Sequence, residues 1–261
     1  MLKKLFDCFP APDNYDNYVE PYGGSGVVLL NKPRSSVEVY NDLEQNVATL
    51  FKVLTDPGLF SQFHDLCQLA PYDESLSNEY RLNLRMKGHL SQVQRAFQFW
   101  YVNRTRVNGI GGFSVNSSIR RHMSKSTSDF LSSVESLPAI HNRLSGVVVQ
   151  RRDALELINH WDRPLTLMYL DPPYVQSARG DTRYAVDADD SHYARLISLL
   201  LRLKHANIVL SGYDNPLYEP LTVADWRKEQ FVLHVTDGNR KPKDKTETVW
   251  MNFRASQLTL F

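Results

Sequence analysis

The run Leu165-Thr166-Leu167-Met168-Tyr169-Leu170 barely alternates between apolar and polar residues, and it stops at Asp171-Pro172-Pro173-Tyr174. A strand with one wet face alternates, so a short run that stays apolar reads as buried on both sides. That condition is met in the parallel sheets of α/β proteins, where helices cover both faces. Ligands of such sheets sit beyond the carboxyl ends of the strands, which puts the tetrapeptide where chemistry is expected. Two consecutive prolines lock φ and remove two backbone donors. Asp171 and the carbonyl of Pro172 are thereby left as fixed acceptors that can point at an incoming amino group. Tyr174 adds a flat face for a planar ring. Taken alone, the four residues can also be read as a plain Pro-Pro turn.

A second segment narrows the reading. Asp16 to Val19 reads as a strand and leads into Glu20-Pro21-Tyr22-Gly23-Gly24-Ser25-Gly26, followed by the apolar stretch Val27 to Leu30. A strand, a glycine turn and a helix start let the backbone approach a nucleotide-like ligand, because glycine has no Cβ in the way. Pro33 stops that helix, and Ser36 to Tyr40 alternates as a second strand ending at Asn41 and Asp42. Asp42 follows the turn by about twenty residues, the separation at which dinucleotide sites place a ribose-binding acid. Leu43, Val47, Leu50, Phe51 and Leu54 then recur at helical spacing, and the helix is expected to pack on the sheet.

From Asp56 to about Leu144 the alternation of strand and helix gives way to helical segments, one around Phe60 to Leu66 and one from Leu82 to Phe99. Residues 56–145 therefore read as an inserted lobe between the core segments 1–55 and 146–261. In the lobe, Asn103 to Asn116 carries Asn-Gly and Gly-Gly steps between β-prone residues, the pattern of a hairpin. Ser124 to Ser136 is rich in Ser and Thr and is expected to be mobile until a partner orders it. Arg81 to Lys125 holds nine Lys and Arg and no Asp or Glu, an electrostatic footprint that suits a polyanion. After the lobe, strands are expected at Val147–Val149, Asn207–Gly212, Phe231–Val235 and Thr246–Phe253. Asp153 opens a short helix to His160, Gln176 to Asp190 is a loop able to close over a site, His192 to Leu203 is amphipathic, and Asp237 to Lys245 is a turn.

At 261 residues and 42% hydrophobic, the chain is long enough for a sizeable core. No apolar stretch is long enough to span a bilayer, and the N-terminus lacks the apolar region of a secretory signal. Cys8 and Cys67 form no paired metal or redox spacing, which suits reduced thiols in a cytosolic protein.

In these residues the chain resembles the Dam-like DNA adenine methyltransferases. Glu20-Pro21-Tyr22-Gly23-Gly24-Ser25-Gly26 is similar to that family's cofactor turn, Asn41-Asp42 to its ribose-binding acid, Asp153 to the acid near the cofactor's adenine, and Asp171-Pro172-Pro173-Tyr174 to its catalytic tetrapeptide. Asn103 to Asn116 resembles the hairpin that the family lays in the major groove. Ser211-Gly212-Tyr213 and Thr248 to Asn252 resemble later family segments. The family's Trp/Tyr-x-Gly-Gly-Lys segment is not reproduced in the nineteen residues before Glu20.

The resemblance implies an α/β fold: a Rossmann-like methyltransferase sheet with a terminal antiparallel hairpin and an inserted helical and β-hairpin DNA-recognition lobe. It implies transfer of a methyl group from S-adenosylmethionine to the N6 amine of adenine, flipped out of duplex DNA, with no metal. Asp171, Pro172, Pro173 and Tyr174 would be catalytic. Glu20, Tyr22, Gly24, Gly26, Asp42, Asp153 and Asp171 would bind the cofactor. Arg104, Arg106, Asn108, Arg120 and Arg121 would contact DNA, since arginine can grip guanine and asparagine adenine while most contacts go to phosphate. The setting implied is the cytoplasm of a prokaryotic or phage-infected cell, with a partner restriction endonuclease or none. Two alternatives stay open: a DNA-binding relative without turnover, and a methyltransferase acting on protein or a small molecule.

Overall fold

The computed structural model describes residues 2–86, 88–107, 111–173, 190–236 and 242–254. Among them the strands are β1 (Asn17–Glu20), β2 (Val37–Asn41), β3 (Ile119–Arg120), β4 (Met123–Ser124), β5 (Val148–Gln150), β6 (Thr166–Leu170), β7 (Asn207–Gly212), β8 (Arg227–Thr236) and β9 (Pro242–Met251). The helices are α1 (Leu2–Phe6), α2 (Val27–Asn31), α3 (Gln45–Thr55), α4 (Pro57–Leu69), α5 (Glu74–Arg85), α6 (Gln92–Thr105), α7 (Lys125–Glu135), α8 (Leu137–Leu144), α9 (Ala154–His160), α10 (Asp190–Leu200) and α11 (Glu219–Val223). The chain divides into two compact units, one of residues 1–44 and 150–261, the other of residues 45–149.

The main sheet has seven strands in the order β5-β2-β1-β6-β7-β9-β8. β1 runs parallel to β2 and β6, and β6 runs parallel to β7. β9 returns antiparallel between β7 and β8, giving the expected terminal hairpin. That hairpin is longer than its sequence suggests, pairing from Arg227 and Met251 out to Thr236 and Pro242. From β1 the chain moves outward to β2, whereas from β6 it moves outward to β7. The reversal makes the β1–β6 pair a switch point, the place where open α/β sheets hold ligands.

Every residue from Thr166 to Leu170 is buried. On one face Met168 and Leu170 join Val19, Ile208 and Leu210 in a core with Leu157 of α9 and Leu196 of α10. Each aliphatic side chain so covered contributes about 1.5–3 kcal/mol. Side chains alternate along a strand, so the other face carries Tyr18 and Tyr169, with the Phe9 ring 6.3 Å from the first and 6.1 Å from the second. β6 starts one residue later than its apolar run. Leu165 takes a left-handed φ of 55°, and its carbonyl accepts from the Asp16 and Asn17 amides at 2.9 and 3.0 Å. This backbone turn delivers β6 beside β1 at a conformational cost of about 1–3 kcal/mol.

The second unit is centred on α6, whose buried residues include Ala96, Phe97, Trp100, Tyr101 and Thr105. A helix covered on most sides is a core helix, and α3, α4, α5 and α7 pack around it. Phe130 of α7 lies 5.3 Å from the Trp100 ring and 5.6 Å from Tyr101.

Several sequence expectations change in this unit. The helix at Leu43 to Leu54, expected on the sheet, is α3, and it packs mainly on α6, α4 and α8; its spacing revealed an apolar stripe but not what covers it. The helical stretch Leu82 to Phe99 is broken between α5 and α6, because Ser91 and Gln94 form a capping box that starts a new helix. Ser124 to Ser136 is mostly the helix α7. The Ser124 hydroxyl caps it by accepting from the Thr127 amide at 3.1 Å, and Phe130 and Val134, four residues apart, bury one face. Of the hairpin expected over Asn103 to Asn116, the described residues show a bridge between Arg106 and Phe113, flanked by the Val107 amide on the Gly112 carbonyl and the Ser114 amide on the Thr105 carbonyl, while α6 takes up its start as far as Thr105. The regular antiparallel pair is β3–β4. It is joined by Arg121 and His122, both left-handed at φ 52° and 60°, as a type I′ turn requires.

Candidate functional site

At the carboxyl end of β1 the glycine turn is clamped from β2. The Gly23 amide donates to the Asn41 carbonyl at 2.8 Å, the Gly24 amide to the Asp42 carboxylate at 2.9 Å, and the Tyr40 hydroxyl to the Gly24 carbonyl at 2.6 Å. A Cβ on Gly23 would lie 2.2 Å from the Tyr40 ring, whereas one on Gly24 would meet nothing within 4 Å. The turn is therefore closed on its protein side and open on the other. Gly24 and Gly26 hold φ of 50° and 63°, which side chains rarely tolerate. Asn41 ties the turn to the segment before α9: its amide donates to the carbonyls of Pro21 and Arg152, and its oxygen accepts from the Arg152 amide. Asp153 caps α9 by accepting from the Leu155 and Glu156 amides.

Asp171 leaves β6 beside this turn. Its surface is open to solvent, but the protein gathered around it pushes its carboxyl up to about 6, against the pull of a Ser211 hydrogen bond. Glu20 is buried and pushed up to about 8, first by desolvation, with the charge of Asp171 adding to the rise. Its Oε1 accepts from the Tyr18 hydroxyl at 2.6 Å. On the far side of the turn, the Tyr22 hydroxyl is 2.9 Å from His192 Nε2 on α10. The next residue, Tyr193, donates its hydroxyl to the Pro173 carbonyl. One helix therefore touches both the glycine turn and the Pro-Pro step.

The structure thus gathers Glu20, Tyr22, Gly24, Gly26, Asp42, Asp153, Asp171, Pro172 and Pro173 within the first unit, around the ends of β1, β2 and β6. Tyr174 and the loop read over Gln176 to Asp190 lie outside the described residues, Asp190 excepted as the first residue of α10. Sequence reasoning missed Tyr40 and Tyr193 as supports of the site, and reached Asn41 and Ser211 only as parts of segments resembling the family's. Period-two alternation assigns Ser211 to a face, but only the pairing of β6 with β7 reveals that this face is the one bearing Asp171.

The second unit carries the arginines. Arg104 is exposed on the last turn of α6. Arg106, read from sequence as a DNA contact, is 8% exposed, and its guanidinium donates to the Gly111 carbonyl at 2.8 Å and to Asn78 at 3.0 Å. It braces the turn whose tip, Asn108 to Ile110, lies outside the described residues. Arg120 and Lys125 both pair with Asp129, and Arg121 pairs with Glu135. The acid-free window is therefore partly neutralised in space by the acids of α7. Exposed pairs of this kind contribute no more than about 1 kcal/mol each, so a stronger anion can displace them.

Among the described residues no group of His, Cys, Asp and Glu is placed to hold a metal ion, and no helix is long and apolar enough to cross a membrane.

A mostly parallel sheet with an open glycine turn and a rigid acceptor at one switch point is a Rossmann-like arrangement. A family comparison supplies the chemistry: residues 1–236 match the D12 class N6 adenine-specific DNA methyltransferases. The chain belongs to that family, whose members methylate the N6 amine of adenine in DNA and so take a methyl donor. No curated protein sequence matches the chain.

The raised Asp171 pKa has a consequence for stability. The fold favours the neutral carboxyl, so this contribution is full below the ordinary carboxylate value of 3.8 and is lost as pH rises through about 6. Asp171→Asn cannot ionise. It is expected to raise the urea midpoint at about pH 8 and to lose that advantage at about pH 4. A midpoint that falls at the higher pH would contradict the assignment.

Proposed function

We propose that the methyl donor is S-adenosylmethionine, seated at the Tyr22 to Gly26 turn, and that the target adenine is everted from duplex DNA onto Asp171 and Pro172. The observation that carries this reading is adjacency. Glu20 and Asp171 terminate neighbouring parallel strands, and Glu20 feels the charge of Asp171. The open side of Gly24 suits a ligand lying on the turn, with Asp42 beside it for ribose hydroxyls and Asp153 for the adenine end. Bound there, the cofactor supplies an electrophilic methyl, and no metal is required.

The residues must then prepare a poor nucleophile, because the lone pair of the adenine amine is delocalised into the ring. Asp171 and the Pro172 carbonyl accept its two N–H bonds, which draws density onto nitrogen and fixes its direction. Ionised Asp171 is the stronger acceptor and takes the proton that nitrogen sheds as the new N–C bond forms. Tyr174 is assigned the stacking role from its position after Pro173; a stacked ring offsets about 1–3 kcal/mol of the lost base stacking.

Arg104, Arg120, Arg121 and Asn108 are the assigned DNA contacts, and Arg106 the brace behind Asn108. The setting we assign is the cytoplasm of a prokaryotic or phage-infected cell, with or without a partner endonuclease.

Labelled cofactor and mixed-sequence duplex test the chemistry. Label is expected in N6-methyladenine, and Asp171→Ala is expected to abolish it while duplex binding persists; label in another base, or turnover by the variant, would overturn the reading. A second experiment tests the arginines. Asp129→Asn with Glu135→Gln frees Arg120, Arg121 and Lys125, and is expected to tighten duplex binding and steepen its salt dependence by about 0.9 in log–log slope per added phosphate contact. An unchanged slope would remove these residues from the interface.

A further inference from the structure

Tyr169, Asp171 and Ser211 lie on one face of the sheet. β6 and β7 are parallel with Leu170 opposite Leu210, so the next pair outward sets Asp171 beside Ser211, and alternation puts Tyr169 on the same side. Ser211 is 2% exposed and Tyr169 5%. Their hydroxyl oxygens are 2.9 Å apart, and Ser211 pulls the Asp171 pKa down, as a neighbouring hydroxyl donor does. An ionised carboxylate can only accept, and a serine hydroxyl has one proton. With its one proton turned to Asp171, Ser211 leaves its oxygen free to accept from Tyr169.

We infer that Ser211, itself oriented by Tyr169, is a positioning residue that holds Asp171 ionised and aimed at the adenine amine. The inference rests on the proposed role of Asp171 and adds the residues that make the role possible. A free carboxylate rotates about χ2 and offers either oxygen in many directions. Here the Ser211 bond anchors the carboxylate from the β7 side and restricts how it can present its remaining lone pairs. The Pro-Pro step is held in parallel by the Tyr193 hydroxyl on the Pro173 carbonyl. Buried hydroxyl groups on neighbouring elements thus flank the cradle on both sides, Ser211 beside the carboxylate and Tyr193 on the Pro-Pro step, which places the amine before reaction rather than during it.

The other titratable groups facing Asp171 among the described residues are Glu20 on β1, Tyr169 on its own strand and Tyr218 in the turn after β7. All three are acids, neutral or anionic at any pH, so none is a cation able to replace the Ser211 bond.

The test is the pH profile of single-turnover methyl transfer by the full chain. Removing a hydrogen bond to a charged group costs about 1.5–3 kcal/mol, so Ser211→Ala is expected to slow transfer roughly 10- to 100-fold on the acid side of the profile. Its acid limb should move to higher pH, with a smaller loss at high pH and duplex affinity within about twofold of the native chain. Ser211→Thr, which keeps the hydroxyl, should restore the limb. Tyr169→Phe should shift it the same way by less. An Ser211→Ala limb that overlays the native one overturns the inference; should that variant fail to fold, an unmoved limb in Tyr169→Phe does so. The proposed function is judged separately: Asp171→Asn turning over at the native rate defeats that reading, whereas an inactive Asp171→Asn beside an unmoved Ser211→Ala limb defeats only this one.

Discussion

Two neighbouring parallel strands whose connections depart in opposite directions leave a crevice at their carboxyl ends that no backbone crosses. In this chain those strands are β1 and β6. Everything at the site depends on their pairing. It brings Glu20 and Asp171, far apart in sequence, within electrostatic reach of one another. The left-handed Leu165, whose carbonyl accepts from two amides at the start of β1, sets where β6 enters that pairing.

The site is held together by hydroxyls and amides more than by charge. Tyr40 steadies the glycine turn, Tyr18 holds Glu20 and Tyr193 holds the Pro-Pro step. Such groups fix geometry without competing for a cationic or anionic ligand. The cost falls on the carboxyls, both shifted upward by lost hydration. A carboxylate kept short of water is destabilising in the fold and a better acceptor in the reaction, the exchange of stability for function common at active sites. The second unit uses the reverse device. Its Arg120 and Arg121 are exposed and lightly paired with α7 acids, ready to exchange one anion for another.

Much of this was legible in the sequence where local chemistry decides the outcome. Asp171-Pro172-Pro173 announced itself because a buried strand and two prolines leave few conformations. The Gly23 to Gly26 turn did so because left-handed φ values and a ring pressed against Gly23 exclude other residues. What escaped was whatever depends on a partner from elsewhere in the chain. Ser211 looks like an ordinary strand serine until β7 is set beside β6. Arg106 looks like a DNA contact until Asn78 and the Gly111 carbonyl are found around its guanidinium. The Ser-rich stretch after Ser124 looked mobile because its composition is polar, yet Phe130 and Val134 suffice to dock it as α7. Charge counted along the chain likewise differs from charge in space, since Asp129 and Glu135 lie outside the basic window but fold back against it.

The central claim is that donor and acceptor meet at one crevice. Its most direct test is the binding, by calorimetry, of a bisubstrate analogue in which the N6 atom of adenine is joined by a short linker to the 5′ position of adenosine. If both half-sites lie within reach of each other, the linked compound should bind about a hundredfold or more tighter than either half, through effective concentration, and Asp171→Ala should erase that advantage. Affinity no greater than that of the adenosine half alone would contradict the account.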